Sequence, residues 1–309
     1  MLKAILIDLI PSYMTKEEAN YRQEEAENLI KTYGGMVLVK KIQKKMQPIY
    51  KTYIGEGKVD EIIAEAPELG ANILVINNEL KPMQTYNLNE MLRKVNIQVW
   101  DRIDLILKIF QKHATTREAK LEIELASIRH MGPRIYGMGM QLTRQGGGIG
   151  TKGKGETNLE FMRRHLSKLE DKIQADLNEC KKMRKLHRDS RKRKNLKTVG
   201  IIGYTNAGKS SLLNALTRKG AYAADELFAT LDTRVGKLYF PETGSEVLIS
   251  DTIGFIQDLP THLIKSFQST LEETLDASFL LHVIDASDEK MEQKMSVVNE
   301  VLAQIGVID

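Results

Sequence analysis

One short stretch constrains the fold of this chain more than any other: GYTNAGKS, from Gly203 to Ser210. It matches G-x-x-x-x-G-K-[ST] at every position, follows an apolar run at 198–202 and precedes a helix-prone run at 211–217. The pattern predicts a strand, a loop around a polyphosphate and a helix, because a concave row of backbone N–H groups and a helix N-terminus both stabilise anions. The competing interpretation is an ordinary glycine turn ahead of a helix.

Each residue type in this loop has a predicted task. Gly203 and Gly208 let the backbone curve with no Cβ in the way, Lys209 reaches the terminal phosphates, and the Ser210 hydroxyl ligates Mg²⁺. The residues expected to contact the nucleotide from this loop are Gly203, Tyr204, Thr205, Asn206, Ala207, Gly208, Lys209, Ser210 and Ser211.

Further motifs follow the loop in the order typical of a small GTPase-type domain. In LFATLDTRVG (227–236), Thr230 is predicted to close over the γ-phosphate and to contribute to Mg²⁺ binding, with Thr233 as its competitor. An apolar strand at 247–250 then leads into D-x-x-G, in which Asp251 would hold Mg²⁺ through water and Gly254 would offer its N–H to the γ-phosphate. The predicted catalytic residues are therefore Lys209, Asn206, Thr230 and Gly254.

Two residues bear on hydrolysis. Phe255 occupies the position at which Ras-like GTPases carry a glutamine that orients the attacking water, and a phenyl ring cannot hydrogen-bond water. We therefore expect slow hydrolysis until a partner or another group completes the site. Asn206 has two open interpretations: a ligand for K⁺ beside the phosphates, or hydrogen bonding within the loop.

The nucleotide domain, 196–309, is expected to lack its C-terminal part. The N-K-x-D element that reads guanine does not occur before Asp309, and a complete doubly wound domain needs about 160 residues or more. On this expectation the base is recognised by residues beyond Asp309.

Residues 1–101 predict a small α/β domain. Apolar strands at 4–10, 36–41, 73–77 and 97–100 alternate with helices at 15–33, 56–66 and 82–93, and such alternation favours a largely parallel sheet. The loop YIGEGKVDE (53–61) is either a phosphate contact through Lys58 or, as we favour, a glycine turn that caps the next helix.

Residues 102–195 predict a long antiparallel helical hairpin. Apolar residues recur at alternating three- and four-residue steps on the second helix, which is typical of a coiled-coil seam. The seam comprises Met162, Leu166, Leu169, Ile173, Leu177, Cys180 and Met183. Cys180 is interpreted as a small buried apolar residue, and as the only cysteine it indicates a reducing compartment.

The two helices are separated by a glycine-rich basic segment, residues 133–160. Glycines allow close approach to a surface and cations neutralise phosphates, so the segment predicts a loop that inserts into folded RNA. A disordered linker is the alternative. The residues expected to contact RNA are Arg134, Arg144, Gly146, Gly147, Gly148, Lys152 and Lys154. The cation-rich run at 181–197 extends this surface or is a solvated helix face.

The composition restricts the compartment and the partners only loosely. A net charge of +4 and a pI of about 8.8 are too modest to require a nucleic-acid partner. The N-terminal MLKAILIDLI is interrupted by Asp8 and is followed by no cleavage site, and no apolar run is long enough to span a membrane. We expect a cytoplasmic monomer.

Taken together, these motifs resemble the HflX family of the Obg–HflX group across almost the whole chain. The matching stretches are YIGEGKVDEI, RQGGGIGTKGKGETNLE, GYTNAGKS, LFATLD and SDTIGFIQDLPTHLIKSFQSTLEET. The resemblance implies an α/β fold: a small N-terminal α/β domain, the hairpin, and a P-loop GTPase domain with a parallel sheet and helices on both faces.

The same resemblance implies a GTPase with GTP as substrate and Mg²⁺, while K⁺ stays one of the two interpretations of Asn206. Its implied partner is the large ribosomal subunit with its ribosomal RNA, and its implied role is to split or rescue stalled ribosomes, notably under heat stress. The hydrophobic Phe255 fits this family. Two alternatives stay open: an RNA-binding fragment whose nucleotide domain is inert, and an ATP-dependent RNA remodeller.

Overall fold

A computed structural model of the chain describes residues 1–145, 154–193, 196–217, 227–228, 234–259, 263 and 277–307. For 135–145, 154–159 and 192 it describes the backbone only. The chain forms two compact units: one comprises Met1–Ile109 with Ser127–Asp171, and the other comprises Phe110–Ala126 with Lys172–Asp309. No helix among the described residues is long and apolar enough to cross a membrane.

The first unit contains a four-stranded parallel sheet in the order β2-β1-β3-β4. Its strands are β1 (Leu2–Ile10), β2 (Gly35–Lys44), β3 (Ile73–Ile76) and β4 (Gln98–Asp101). The helices between them are α1 (Lys16–Tyr33), α2 (Glu56–Leu69) and α3 (Pro82–Leu92), with a 3-10 turn at Arg93–Val95. The predicted α/β domain with a parallel sheet is confirmed.

Capping interactions at both ends of α1 explain where this helix begins and ends. Thr15 and Glu18 form a capping box, in which the Thr15 hydroxyl accepts a hydrogen bond from the Glu18 N–H and the Glu18 carboxylate accepts one from the Thr15 N–H. Gly34 ends the helix in the left-handed region, at φ 97°, which favours glycine. Both ends are therefore set by residues that lie next to the helix in the sequence.

Three long helices follow: α4 (Arg102–His113), α5 (Arg117–Gln145) and α6 (Lys154–Arg193). Ion pairs join α5 to α6 in antiparallel order: Arg129 with Glu170 in the first unit, at 2.7 Å, and Arg117 with Asp176 in the second, at 3.2 Å. These pairs agree with the predicted hairpin.

The predicted seam on α6 is buried less than expected. Ile173 is buried, but Met162 and Met183 are exposed and Cys180 is only half-buried. The expectation that Cys180 is a buried apolar residue is therefore wrong, because its surface is only half-buried.

The second unit contains a sheet in the order β6-β7-β5-β8. Its elements are β5 (Lys197–Ile202), α7 (Lys209–Thr217), β6 (Arg234–Phe240), β7 (Ser245–Asp251), β8 (Phe279–His282) and α8 (Met291–Gln304). Strands β7, β5 and β8 are parallel and β6 is antiparallel to β7. Because β5 and β7 are parallel neighbours, the GYTNAGKS loop and the D-x-x-G segment leave the same edge of the sheet.

Candidate nucleotide-binding site

The loop between β5 and α7, which we call the phosphate loop (Gly203–Ser210), curves through backbone conformations that side chains disfavour. Gly203 has φ 152° and Gly208 has φ 88°, while Asn206 has φ 63°. A Cβ built on Gly203 would lie 2.4 Å from the Val283 carbonyl oxygen, so the residue that follows β8 leaves no room for a side chain there. The two glycines therefore shape the loop by conformation and by close approach.

Lys209 opens α7 and is almost entirely buried, with 6% of its surface exposed. Its ammonium donates a hydrogen bond to the Tyr204 carbonyl oxygen at 2.6 Å. Burial lowers the pKa of Lys209 to about 8, and the nearby Asp251 only partly offsets this. A cation held in this environment would be stabilised by an anion, which is what a phosphate supplies.

Ser210 and Asp251 form the part of the site that fits a divalent cation. The Ser210 hydroxyl donates to Asp251 Oδ2 at 2.6 Å, because the pairing of Ile201 with Asp251 sets the end of β7 beside the start of α7. Asp251 is fully buried, and its Oδ1 has no hydrogen-bond partner within the described part of the chain. A hydroxyl and a carboxylate with a spare oxygen are the ligands that Mg²⁺ prefers, so these residues fit the ion.

Gly254 lies directly against the phosphate loop. A Cβ added there would lie 2.7 Å from the Thr205 Cα and 2.8 Å from the Lys209 ammonium nitrogen. The next residue, Phe255, is buried at 2% exposure and presents no polar side-chain atom to the site. Phe255 therefore cannot orient the attacking water, as the sequence predicts for this position.

The structure brings together the phosphate loop and Ser211 with Asp251 and Gly254 from the next motif. Thr230 and its competitor Thr233 lie outside the described residues. Sequence reasoning missed two contacts: the Val283 carbonyl behind Gly203, and the hydrogen bond from the Gln257 N–H to the Tyr204 hydroxyl, at 2.7 Å. No local sequence signal points to either, because both join segments far apart in the chain.

The prediction that Arg134 contacts RNA is wrong. Its guanidinium is buried and pairs with Asp104 at 2.7 Å and with Asp101 at 2.5 Å. His130 Nε2 lies 3.3 Å from one carboxylate oxygen of each of these aspartates. Arg134 is therefore the buried counter-ion of Asp101 and Asp104 inside the first unit.

The predicted loop at 133–160 is also bounded differently. Helix α5 continues past Pro133 to Gln145 and α6 begins at Lys154. The ion pairs of Arg134 hold the turn of α5 that follows Pro133 against the rest of the first unit. Arg144 is part of α5 and Lys154 is the first residue of α6. Four of the RNA-contact candidates lie outside the described residues: Gly146, Gly147, Gly148 and Lys152.

The glycine turn at 53–61 has the structural role that we favoured. Gly55 is the N-cap of α2, and its N–H donates to the Gln43 side-chain oxygen at 2.9 Å. Lys58 pairs with Glu61 at 2.5 Å on the same helix. These contacts account for both the glycine and the lysine without a phosphate.

The β5–loop–α7 unit, the buried lysine and the Ser210–Asp251 pair together define a P-loop GTPase domain. Residues 198–308 match the family model described as "50S ribosome-binding GTPase". Residues 20–111 and 113–191 match "GTP-binding GTPase N-terminal" and "GTP-binding GTPase Middle Region".

Curated relatives identify the family. The chain is 44% identical to GTPase HflX of Caldanaerobacter subterraneus subsp. tengcongensis, over 99% of this chain and 70% of that protein. It is 40% identical to GTPase HflX of Escherichia coli (strain K12), over 96% of this chain and 69% of that protein. A solved GTP-binding protein from Sulfolobus solfataricus in complex with GDP is 26% identical, with a TM-score of 0.51, over 99% of this chain and 79% of that one. The chain belongs to the HflX GTPase family, and it binds and hydrolyses GTP.

Proposed function

We propose that this GTPase associates with the large ribosomal subunit and its ribosomal RNA through the N-terminal region and the helical hairpin. We further propose that it splits or rescues stalled ribosomes under stress, as a monomer in the cytoplasm. GTP bound at the phosphate loop favours the ribosome-bound state, and hydrolysis releases it.

The observation that carries this proposal is the distribution of charge on α6. Its C-terminal part presents exposed cations, namely Lys181, Lys182, Lys185 and Arg193. A helix with this pattern suits an RNA backbone, because lysine and arginine neutralise phosphates without requiring a particular base sequence. Arg144, Lys152 and Lys154, with Gly146, Gly147 and Gly148, are proposed to extend the RNA contact at the end of the hairpin.

Within the nucleotide site, Lys209 is proposed to bind the terminal phosphates and Gly254 to donate its N–H to the γ-phosphate. Ser210, Asp251 and Thr230 are proposed to hold Mg²⁺, which would neutralise charge on the phosphates when bound. Asn206 is proposed as the K⁺ ligand. Its backbone lies in the left-handed region at φ 63°, which asparagine tolerates better than most residues.

Co-sedimentation with purified large subunits tests the function. We expect pelleting to strengthen with a non-hydrolysable GTP analogue, to weaken as salt rises, and to lose its nucleotide dependence in Lys209→Ala. Lys182→Glu with Lys185→Glu should weaken pelleting at every nucleotide state, whereas the control Lys237→Glu should not, because Lys237 is exposed on β6 and lies outside the proposed ribosome contact. Equal pelleting with and without nucleotide would instead support an RNA-binding protein with an inert nucleotide domain. If ATP displaces a labelled nucleotide from the chain as strongly as GTP does, the result would support an ATP-dependent RNA remodeller.

A further inference from the structure

The segment that follows Asp251 is hydrogen-bonded across the phosphate loop. We call residues 253–257 the strap. The Thr205 N–H donates to the Phe255 carbonyl at 2.7 Å, and the Phe255 N–H donates to the Gly203 carbonyl at 3.1 Å. Ile253, Phe255 and Ile256 are all buried. The strap is therefore closed by backbone bonds on both sides of Tyr204 and by apolar burial.

The side chain of Tyr204 adds a further hydrogen bond that holds the strap against the phosphate loop. Its hydroxyl accepts the hydrogen bond from the Gln257 N–H at 2.7 Å, and its residue surface is 5% exposed. The Lys294 ammonium of α8 lies 5.0 Å from the centre of the Tyr204 ring and also pairs with Asp288. The ring is thus held in place from one side while its hydroxyl holds the end of the strap.

The closed strap lies beside the Lys209 ammonium, where a third phosphate is expected to bind. The first two phosphates of a nucleotide lie in the cradle of loop N–H groups, whereas the third lies between the P-loop lysine and the D-x-x-G glycine. Here those two groups lie close together: a Cβ built on Gly254 would lie only 2.8 Å from the Lys209 nitrogen, so the closed strap narrows the space between them. The Lys209 ammonium is instead satisfied by the Tyr204 carbonyl.

We propose that Tyr204 is a specificity-determining residue: its hydroxyl holds the strap closed, and the closed strap favours GDP over GTP until it is displaced. This inference rests on the proposed nucleotide site at the phosphate loop. Because this neutral hydrogen bond is made only in the closed state, opening the strap costs free energy. A triphosphate must open the strap to bind, whereas a diphosphate can bind while it stays closed.

Binding of fluorescently labelled GDP and of a labelled non-hydrolysable GTP analogue to the full chain tests the proposal. Tyr204→Phe keeps the ring and removes the hydroxyl, so the affinity for the analogue relative to GDP should rise by about 2- to 10-fold, the range for loss of one neutral hydrogen bond. Tyr239→Phe is the matched control, because Tyr239 is 57% exposed on β6. An unchanged ratio in Tyr204→Phe overturns the proposal.

Lys209→Ala separates this failure from failure of the nucleotide site itself. If Lys209→Ala binds both nucleotides as the parent does, the proposed nucleotide site is wrong. If it loses binding while Tyr204→Phe keeps the parental ratio, only the strap inference is wrong. Amide hydrogen exchange supplies a readout that needs no nucleotide: the Gln257 amide should exchange about 2- to 10-fold faster in Tyr204→Phe than in the parent or in Tyr239→Phe. Unchanged exchange at Gln257 also overturns the proposal.

Discussion

Replacement of Arg134 by methionine should destabilise the first unit severely. The guanidinium pairs with Asp101 and Asp104, and the side chains of Arg134 and Asp101 are 6% and 0% exposed. Methionine fills similar volume but supplies no charge, so both carboxylates would stay buried with His130 and backbone N–H groups as their remaining partners among the described residues. Removing one partner of a buried pair costs about 3–5 kcal/mol, and we expect the lower end because His130 still compensates.

The chain provides its own probe for this measurement. Trp100 is the single tryptophan and lies in β4 beside Asp101, with its ring 5.4 Å from the Tyr33 ring. Urea unfolding followed by Trp100 fluorescence therefore reports on the first unit alone. With an m-value of about 2 kcal/mol/M, a loss of 3 kcal/mol lowers the midpoint by about 1.5 M.

Arg129→Met is the matched control on the same helix. It removes an ion pair with Glu170 whose side chains are 43% and 37% exposed. Solvent screening reduces such a pair to about 0.5 kcal/mol, so its midpoint should move by about 0.25 M. If Arg134→Met and Arg129→Met shift the midpoint equally, the buried cluster does not stabilise the unit as we argue.

Three further outcomes are expected. Burial would lower the pKa of His130, but the carboxylates facing it outweigh burial and raise that pKa from 6.5 to about 9. The stability that the protonated His130 contributes to the folded state is therefore complete below pH 6.5 and is lost as the pH rises through 9. Urea titrations across this range should show the loss. Asp251→Asn should weaken Mg²⁺-dependent nucleotide binding at least about tenfold, measured by titration with and without Mg²⁺. Gly254→Ala should slow GTP hydrolysis at least about tenfold, measured by phosphate release, because the added Cβ would lie 2.7 Å from the Thr205 Cα.

Each of these outcomes has a control. In His130→Gln, the free energy of unfolding should change less between pH 6.5 and 9 than it does in the parent. If it falls as steeply as in the parent, another group causes the loss. Asp258→Asn, beyond the strap, should leave the Mg²⁺ dependence intact, and equal weakening there would contradict the metal role of Asp251. Gly57→Ala should hydrolyse GTP as the parent does, since an added Cβ there meets nothing within 4 Å; equal slowing would show that the contact at Gly254 is not the cause.

Local signals made much of the fold predictable. Thr15 with Glu18, and Gly34 after the last turn, define both ends of α1 through interactions within a few residues. The GYTNAGKS loop is predictable for the same reason, since its conformation depends on its own glycines and on the elements on either side. Strand β6 was missed, because the motif before it was interpreted as a loop and its pairing with β7 is a long-range property.

The failures share a physical cause. Arg134 was interpreted as an RNA contact because its neighbours are glycine and basic residues, but Asp101 and Asp104 lie about 30 positions earlier in the chain. A sequence shows charge and spacing, and it does not show which carboxylate a buried arginine will meet. Cys180 illustrates the same limit, because the periodic stripe on α6 does not reveal how much of it a neighbour covers.

The sequence by itself determined that this chain carries a phosphate loop, a D-x-x-G motif and a phenylalanine in place of the water-orienting glutamine. These features are local in the chain, and their chemistry follows from residue type and spacing. Only the tertiary structure decided that Gly254 lies against Lys209 and that Tyr204 joins the loop to Gln257. Such contacts arise because parallel strands bring their carboxyl ends to one edge of a sheet, where segments some 50 residues apart become neighbours.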